Sequence, residues 1–108
     1  MITVRYDPRR FRLLIRGHAG AAPYGQDLVC AAASVLALTL AEHVKRLREE
    51  GSAADTRICL TGGSAAIACT PNPGHGKEVK QVFRTVCTGF EVLQRLYPEY
   101  IRFVRDVL

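Results

Sequence analysis

The sequence lacks the closely spaced cysteines and histidines that hold a structural metal ion. Its four cysteines, Cys30, Cys59, Cys69 and Cys87, form no Cys-x-x-Cys pair, and no His-x-x-x-His segment supplies imidazole ligands. Zinc sites in small domains are built from ligands at such spacings. We therefore expect no metal and no other cofactor, and we interpret the last three cysteines as small buried hydrophobic residues.

The sequence also lacks the segments that direct a protein to a membrane. Its first residues alternate in polarity, without the apolar stretch and small-residue cleavage site of a signal peptide. No segment approaches the roughly 18 uncharged apolar residues that are typical of a membrane span. These absences predict a cytoplasmic protein whose cysteines are reduced.

Positive charge is in excess, and no aromatic-rich RNA-binding signature accompanies it. Fifteen lysines and arginines against ten acidic residues give a net charge of +5. Clustered cations attract polyanions, although base recognition usually adds aromatic side chains. Two interpretations stay open: a solvated strand face, which we favour, and a surface for RNA or an acidic partner. Several of the arginines lie near the N-terminus, namely Arg5, Arg9, Arg10, Arg12 and Arg16.

The length and pattern of the sequence predict one small α+β domain. The 108 residues contain 48% hydrophobic residues, and they show no internal repeat, low-complexity tract or interdomain linker. Residues 1–108 are therefore interpreted as a single domain. The order of periodic segments predicts β-β-α-β-β-α-β, which is a two-layer sandwich with two helices packed on one face of a mixed sheet.

Alternating polarity predicts the strands. Residues 2–16 read as a hairpin, and Gly62-Gly63 predicts a two-residue turn between strands at 56–61 and 64–70 because both glycines accept positive φ. Residues 100–107 are predicted as a final strand, with a short helix as the alternative. The expected register of the second hairpin pairs Ile58 with Ile67, Leu60 with Ala65, and Thr56 with Cys69.

Two helices are predicted between the strands. The first begins after Asp27 as the N-cap and runs to about Glu50, with Gly51 closing it. Because residues 28–41 are almost entirely apolar, we expect burial over most of its circumference. The second helix carries an apolar stripe with a 3.6-residue period over residues 79–96.

A histidine and a cysteine in this pattern point to thiol chemistry. With Asp27 as the cap, Cys30 lies in the first helical turn, where free N–H groups and the helix dipole favour a thiolate. His18, in the preceding glycine-rich loop, would accept the thiol proton and later deliver it to a leaving amine. The oxyanion would be bound by the amides of Cys30 and its neighbours or of Gly25-Gln26. From the residues alone we favour the alternative, an ordinary core cysteine and a surface histidine.

Other residues offer alternative roles. His43 lies thirteen positions after Cys30 on the same helix, about 20 Å away, which is too far for a base. Spacing does not exclude His75, which we interpret as a surface or capping residue. Asp27 either caps the helix, which we favour, or orients a catalytic histidine. Ser34, one turn after the cysteine, is interpreted as a packing or supporting residue.

These residues carry a resemblance to a known family. Gly17-His18-Ala19, the segment from Gly25 to Ala32 with its Gly-x-Asp-hydrophobic-Val-Cys-Ala pattern, and Ser34 together resemble the ribosomal-processing cysteine protease family Prp. The chain length, the strand and helix order and the ending from Tyr97 to Ile101 are also similar to that family.

The resemblance implies a function and a set of site residues. It implies a cysteine endopeptidase that removes a short N-terminal extension from a large-subunit ribosomal protein precursor, usually after an aromatic residue, and that forms a homodimer. His18 would be the general base and Cys30 the nucleophile, with four supporting motif residues. Two other hypotheses remain, a noncatalytic ribosome-associated RNA-binding module and a redox thiol protein. The supporting residues are Gly17, Gly25, Asp27 and Ser34.

Overall fold

The computed structural model describes residues 1–23 and 27–106, and it confirms the predicted order of elements. The last segment is a strand, so the alternative of a short helix there is wrong. The described elements are β1 (Ile2–Asp7), β2 (Arg12–Arg16), α1 (Leu28–Glu49), β3 (Ala53–Thr61), β4 (Ser64–Pro71), α2 (Gly76–Leu96) and β5 (Ile101–Arg105).

The strands form one mixed sheet with both helices on one of its faces. The strand order is β3-β4-β2-β1-β5, with β1 and β5 parallel and the other neighbours antiparallel. Successive side chains of a strand point to opposite faces, so one face of each strand joins the core. Val4, Leu13 and Ile67 are fully buried in this way and belong to one continuous apolar cluster with the helices. The predicted α+β two-layer sandwich is confirmed.

The β3–β4 hairpin has the expected turn, but its pairing register shifts at the end away from that turn. The pairs Ile58 with Ile67 and Leu60 with Ala65 are confirmed. Thr56, predicted to pair with Cys69, lies within the register shift between Ala54 and Arg57, where Cys69 has no regular partner on β3. A bulge adds an unpaired residue to one strand and so displaces everything beyond it.

Helix α1 begins and ends as predicted, but it is buried on one side only. Asp27 is its N-cap, and Gly51 follows the C-cap with a positive φ of 77°. Seven of its residues are buried, whereas Leu28, Val35 and Leu38 are 75%, 62% and 52% exposed. The expectation of burial around most of the helix is therefore wrong. A two-layer fold covers only the side of a helix that faces the sheet and the neighbouring helix.

The composition of α1 also corrects the membrane expectation. By length and apolar content alone, Leu28–Glu49 is sufficient to cross a membrane. The buried side chains of the helix belong to the cluster that includes the strands and α2. A core helix of a water-soluble fold meets the same length and composition criteria.

Aromatic side chains link the sheet to α2. The rings of Tyr6 and Phe83 stack with centroids 5.7 Å apart, and Phe11 lies 5.9 Å from Phe83 in a tilted arrangement. Burial is the main cause that raises the pKa of Tyr6 to about 12. Phe83 is therefore the contact through which β1 and the β1–β2 turn meet the second helix.

We expect Phe83→Ala to destabilise the fold by about 3–5 kcal/mol, because it removes a fully buried ring and leaves a cavity. Urea denaturation measures this as a change in the free energy of unfolding. The neighbouring exposed Arg84→Ala should change that free energy by no more than about 0.5 kcal/mol. Equal effects of the two variants would contradict the assigned packing.

Candidate active site

A cleft of about 780 Å³ lies between the first half of α1, the loop that follows β2, and the turn between β3 and β4. Five residues singled out in the sequence line it together, although they come from different elements. The structure thus brings together Gly17, His18, Asp27, Cys30 and Ser34.

The Asp27 carboxylate fixes both the start of α1 and the loop before it. Its Oδ1 accepts a hydrogen bond from the Cys30 amide at 3.0 Å, and its Oδ2 accepts one from the Ala21 amide at 3.0 Å. The Cys30 amide is the main cause that lowers the pKa of Asp27 below its ordinary value. Asp27 is therefore an N-cap that also holds the loop against the helix.

The oxyanion donors expected from the sequence are only partly described. The Cys30 amide already donates to Asp27, so it is committed to the cap in this arrangement. The other expected donors, Gly25 and Gln26, lie outside the described residues, and so does the predicted supporting role of Gly25.

The Cys30 thiol is half-buried in the first turn of α1. The Ala19 amide donates a hydrogen bond to its Sγ at 3.3 Å. A backbone N–H directed at sulfur and a position in the first turn of a helix are both typical of the surroundings of a nucleophilic cysteine. The cleft therefore contains one cysteine in an environment suited to a nucleophile.

The other three cysteines lie elsewhere. Burial raises the pKa of Cys69 to about 11 and is the main cause that raises the pKa of Cys87 to about 12. Both match the interpretation as buried hydrophobic residues. Cys59 is exposed, so that interpretation is wrong for it, because its position in β3 points away from the helices.

The imidazole of His18 lies against the turn between β3 and β4. A Cβ atom on Gly63 would lie 2.7 Å from the His18 Nε2, closer than two such atoms approach. The Gly17 amide donates to the Gly63 carbonyl at 2.9 Å. Gly17 itself has a φ of 98°, and a Cβ there would collide with the carbonyl oxygen of Met1. Two glycines thus allow the backbone approach that places His18.

His18 and Cys30 share the cleft without a direct hydrogen bond between them in the described part of the chain. Bonds between a base and its nucleophile are often long before substrate binds and tighten in the complex. The absence of this bond therefore does not exclude His18 as the base for the thiol.

The other two histidines do not line the cleft. His75 precedes α2, and its Nδ1 lies 2.9 Å from a Glu78 oxygen. This hydrogen bond is the main cause that lowers the pKa of Glu78. His43 lies beside a separate groove between the two helices. Sequence spacing does not exclude His75 as a base, but His75 does not line the cleft that contains Cys30.

Sequence reasoning missed the part of the cleft that β3 and β4 contribute. Leu60, Gly63 and Ser64 line it because β4 pairs with β2, with Ser64 opposite Arg16. The double glycine predicted the turn. No local pattern indicated that this turn lies beside His18, since the pairing joins residues far apart in the sequence.

A half-buried cysteine at a helix start, sharing a cleft with a histidine in a two-layer α+β fold, defines a candidate cysteine hydrolase. The model of the family described as Cysteine protease Prp matches residues 1–102, and the chain therefore belongs to this family of cysteine proteases. No curated protein sequence matches the chain.

Solved structures support the fold. The essential ribosomal processing protease Prp from S. aureus, in complex with a covalently linked product peptide, is 23% identical with a TM-score of 0.77. The same protease with a substrate peptide is 22% identical with a TM-score of 0.73, and each comparison covers 98% of this chain and 100% of the other. The protein SMU.848 from Streptococcus mutans is 21% identical with a TM-score of 0.68, over 99% and 93% of the two chains.

The hydrogen bonds of Asp27 predict a pH-dependent contribution to stability. Its folded pKa is lower than the ordinary 3.8, so the contribution is complete above about pH 4 and disappears as the pH falls through the folded value. In urea denaturation, Asp27→Asn should therefore lose more stability relative to the unsubstituted protein at pH 6 than at pH 3.

The control for this experiment is Glu99→Gln, which changes the charge equally at an exposed residue after α2. Its effect on the free energy of unfolding should be small at both pH values. A deficit of Asp27→Asn that stays the same at pH 6 and pH 3 would show that the carboxylate charge does not hold the cap.

Proposed function

We propose that this protease removes a short N-terminal extension from a large-subunit ribosomal protein precursor, with residues 1–108 acting as one protease domain. The observation that carries the proposal is the shared cleft of His18 and Cys30 in a member of the Prp family. The S. aureus structures, described as a ribosomal processing protease with substrate and product peptides, support the substrate class. Family membership argues against the noncatalytic hypothesis.

The proposed reaction uses His18 as the base and Cys30 as the nucleophile. The Cys30 Sγ attacks the carbonyl carbon of the scissile peptide bond as its proton passes to the imidazole. The carbon–nitrogen bond then breaks, His18 protonates the departing amine, and a thioester remains on the cysteine. Water, deprotonated by His18, attacks the thioester, which releases the new carboxylate and returns the proton to sulfur.

The surroundings of the two residues support these roles. The Ala19 amide donates a hydrogen bond to the sulfur, and Asp27 fixes the helix start that presents it. Gly17 permits the backbone path that delivers His18. Ser34 lies on the cleft wall one turn after Cys30, where it supports the shape of the site.

The cleft walls favour an apolar substrate side chain. Leu38 and Leu60 are 52% and 43% exposed and line the cleft from α1 and β3. Burying such side chains against a ligand is favourable because it removes apolar surface from water. The aromatic residue that the resemblance places before the cut is proposed to lie against these leucines.

We also propose that the protein is cytoplasmic and forms a homodimer. Leu28 and Val35, on α1 outside the cleft lining, are 75% and 62% exposed. Large exposed apolar side chains on one helix face are typical of an interaction surface, and this supports a second copy of the chain as the partner.

We expect Cys30→Ala and His18→Ala each to lower kcat/KM by about a thousandfold or more, because each removes a group that acts in both chemical steps. The assay follows cleavage of a peptide that contains the extension and the first residues of the mature ribosomal protein, by mass spectrometry. Cys59→Ala, on the far side of the sheet, should stay within about twofold. Cleavage undiminished in both cleft variants would refute the assigned pair.

The same assay separates the chemistry from the substrate. A peptide of the same composition in scrambled order should be cleaved much more slowly if the extension is the true substrate. Cysteine-dependent cleavage of both peptides at equal rates would leave the proposed residues in place and contradict the proposed substrate.

We expect Gly63→Ala to lower kcat/KM about tenfold to a hundredfold, because the added methyl group displaces His18 and a misplacement of about 1 Å is costly in catalysis. Gly74→Ala is a matched control, since Gly74 has a similar left-handed φ of 85°, whereas a Cβ there meets nothing within 4 Å and the residue does not line the cleft. Equal activities of the two variants, each shown to be folded by circular dichroism, would contradict the positioning role of Gly63.

A further inference from the structure

The sheet has one face that the helices do not cover, and arginines dominate it. Inward residues such as Val4, Leu13 and Ile101 are buried, so their neighbours along each strand point to the opposite face. We name this uncovered side the arginine face. Its strand positions include Arg5, Arg12, Arg16, Arg57 and Arg102.

Most of these arginines have no acidic partner. In residues 1–23 and 27–106, carboxylates pair with Arg5 but not with the other four. The Nε of Arg12 is buried and has no hydrogen-bond partner within the same ranges. The exposed guanidinium groups of Arg16, Arg57 and Arg102 therefore retain donors and charge for an external anion.

Two acidic residues at the edge of this face, Asp106 and Asp7, are already occupied, whereas the exposed Asp55 of β3 has no ion pair among the described residues. Asp106 accepts from Arg5 at 2.9 Å. Asp7 is only 6% exposed, and it lies 3.5 Å from Arg9 and 4.0 Å from Arg10 of the adjoining turn. The turn thus adds two more arginines beside the face, and their charge exceeds that of the single carboxylate they share.

The strand register spaces the four unpaired arginines as a grid. Arg16 and Arg102 pair with the same residue of β1, and Arg12 and Arg57 pair with the same residue of β4. Adjacent strands are about 4.8 Å apart, so the members of each pair stand about 10 Å apart, and the two rows lie about 13 Å from each other along β2. Regularly spaced cations on a broad surface suit a polymer of phosphates better than a single small anion.

The residues between the arginines favour contact with a phosphate backbone rather than with bases. Leu14, Ala66, Ala68 and Val104 fill the spaces with small or aliphatic side chains. The described strand positions of this face include no aromatic side chain on which a base would stack. A second copy of the chain is a poor occupant, because it would bring arginines against arginines.

We propose that the arginine face binds RNA through its phosphate backbone while the cleft holds the peptide. Inward residues such as Ile2 and Ile15 line the cleft, and none of the five arginines of the face does. Thr61 and Ser64 also line it, so the cleft reaches the end of the arginine face, and the two ligands would bind next to each other on different residues. The choice of RNA over DNA rests on the proposed function, since a ribosomal protein precursor meets RNA during assembly.

The test compares two double variants of the full chain. Arg57→Gln with Arg102→Gln removes exposed charges from the outermost strands of the face, whereas Lys77→Gln with Lys80→Gln removes the same charge from exposed positions of α2. Fluorescence anisotropy measures the Kd for an RNA hairpin of about 16 base pairs between about 50 and 200 mM KCl.

The face variant should bind RNA about tenfold more weakly at 100 mM KCl. The slope of its log Kd against the logarithm of the salt concentration should be smaller by about two than that of the unsubstituted protein. The α2 variant should stay within about twofold of the unsubstituted protein. Peptide cleavage by the face variant should also stay within about twofold, because neither arginine lines the cleft. Peptide cleavage thus tests the proposed function and RNA binding tests the arginine face, so that one proposal can fail while the other holds.

Three results would overturn the proposal. Equal weakening by both double variants would show that only net charge matters. Absence of RNA binding at 50 mM KCl and about 100 µM protein would exclude even the weak sequence-independent mode. Binding to a DNA hairpin of the same sequence, or to vesicles containing phosphatidylserine, that is at least as tight as binding to RNA would exclude the assignment to RNA.

Discussion

The two hydrogen bonds of the Asp27 carboxylate are the interaction on which the rest of the site depends. One bond, from the Cys30 amide, sets the residue at which α1 begins, and the other, from Ala21, ties the loop to that helix end. The same loop carries the Ala19 amide that reaches the Cys30 sulfur. The position of the thiol relative to its neighbours is thus fixed by a helix cap. The amides that donate to the Asp27 carboxylate lower its pKa, and the cap therefore keeps its charge.

The histidine depends on a different constraint, which is close approach of backbone. His18 leaves the end of β2 through Gly17, and its ring lies against Gly63 in the turn between β3 and β4. Strand pairing between β2 and β4 aligns these two glycines, and a hydrogen bond from the Gly17 amide to the Gly63 carbonyl joins them. The sheet therefore places the histidine while the helix places the cysteine, and the cleft exists where the two layers meet.

This division explains what the sequence predicted and what it did not. The Asp27 cap, the Gly62-Gly63 turn and the order of elements follow from local patterns, and the structure contains all three. The contribution of Gly63 to the cleft depends on which strand lies beside which, and periodicity carries no such information. The apolar run at the start of α1 was misjudged for a related reason. Hydrophobicity alone does not tell how many layers will cover a helix, and here the outer side, with Leu28 and Val35, stays exposed.

Covering only one face of a sheet has a further physical consequence. Along each strand, alternate residues point to the core and to the uncovered face. Ile58 therefore packs against the core, whereas its neighbour Arg57 does not pack against it. The early strand arginines, interpreted from the sequence as a solvated strand face, therefore lie on the uncovered face, where their charge is not buried in the core. What the sequence did not indicate is that Arg57 and Arg102, from distant strands, join them on the same surface. A solvated strand face needs charge only for solubility, whereas the gathering of unpaired arginines on three of the five strands, β2, β3 and β5, suits the regularly spaced charges of a phosphate polymer.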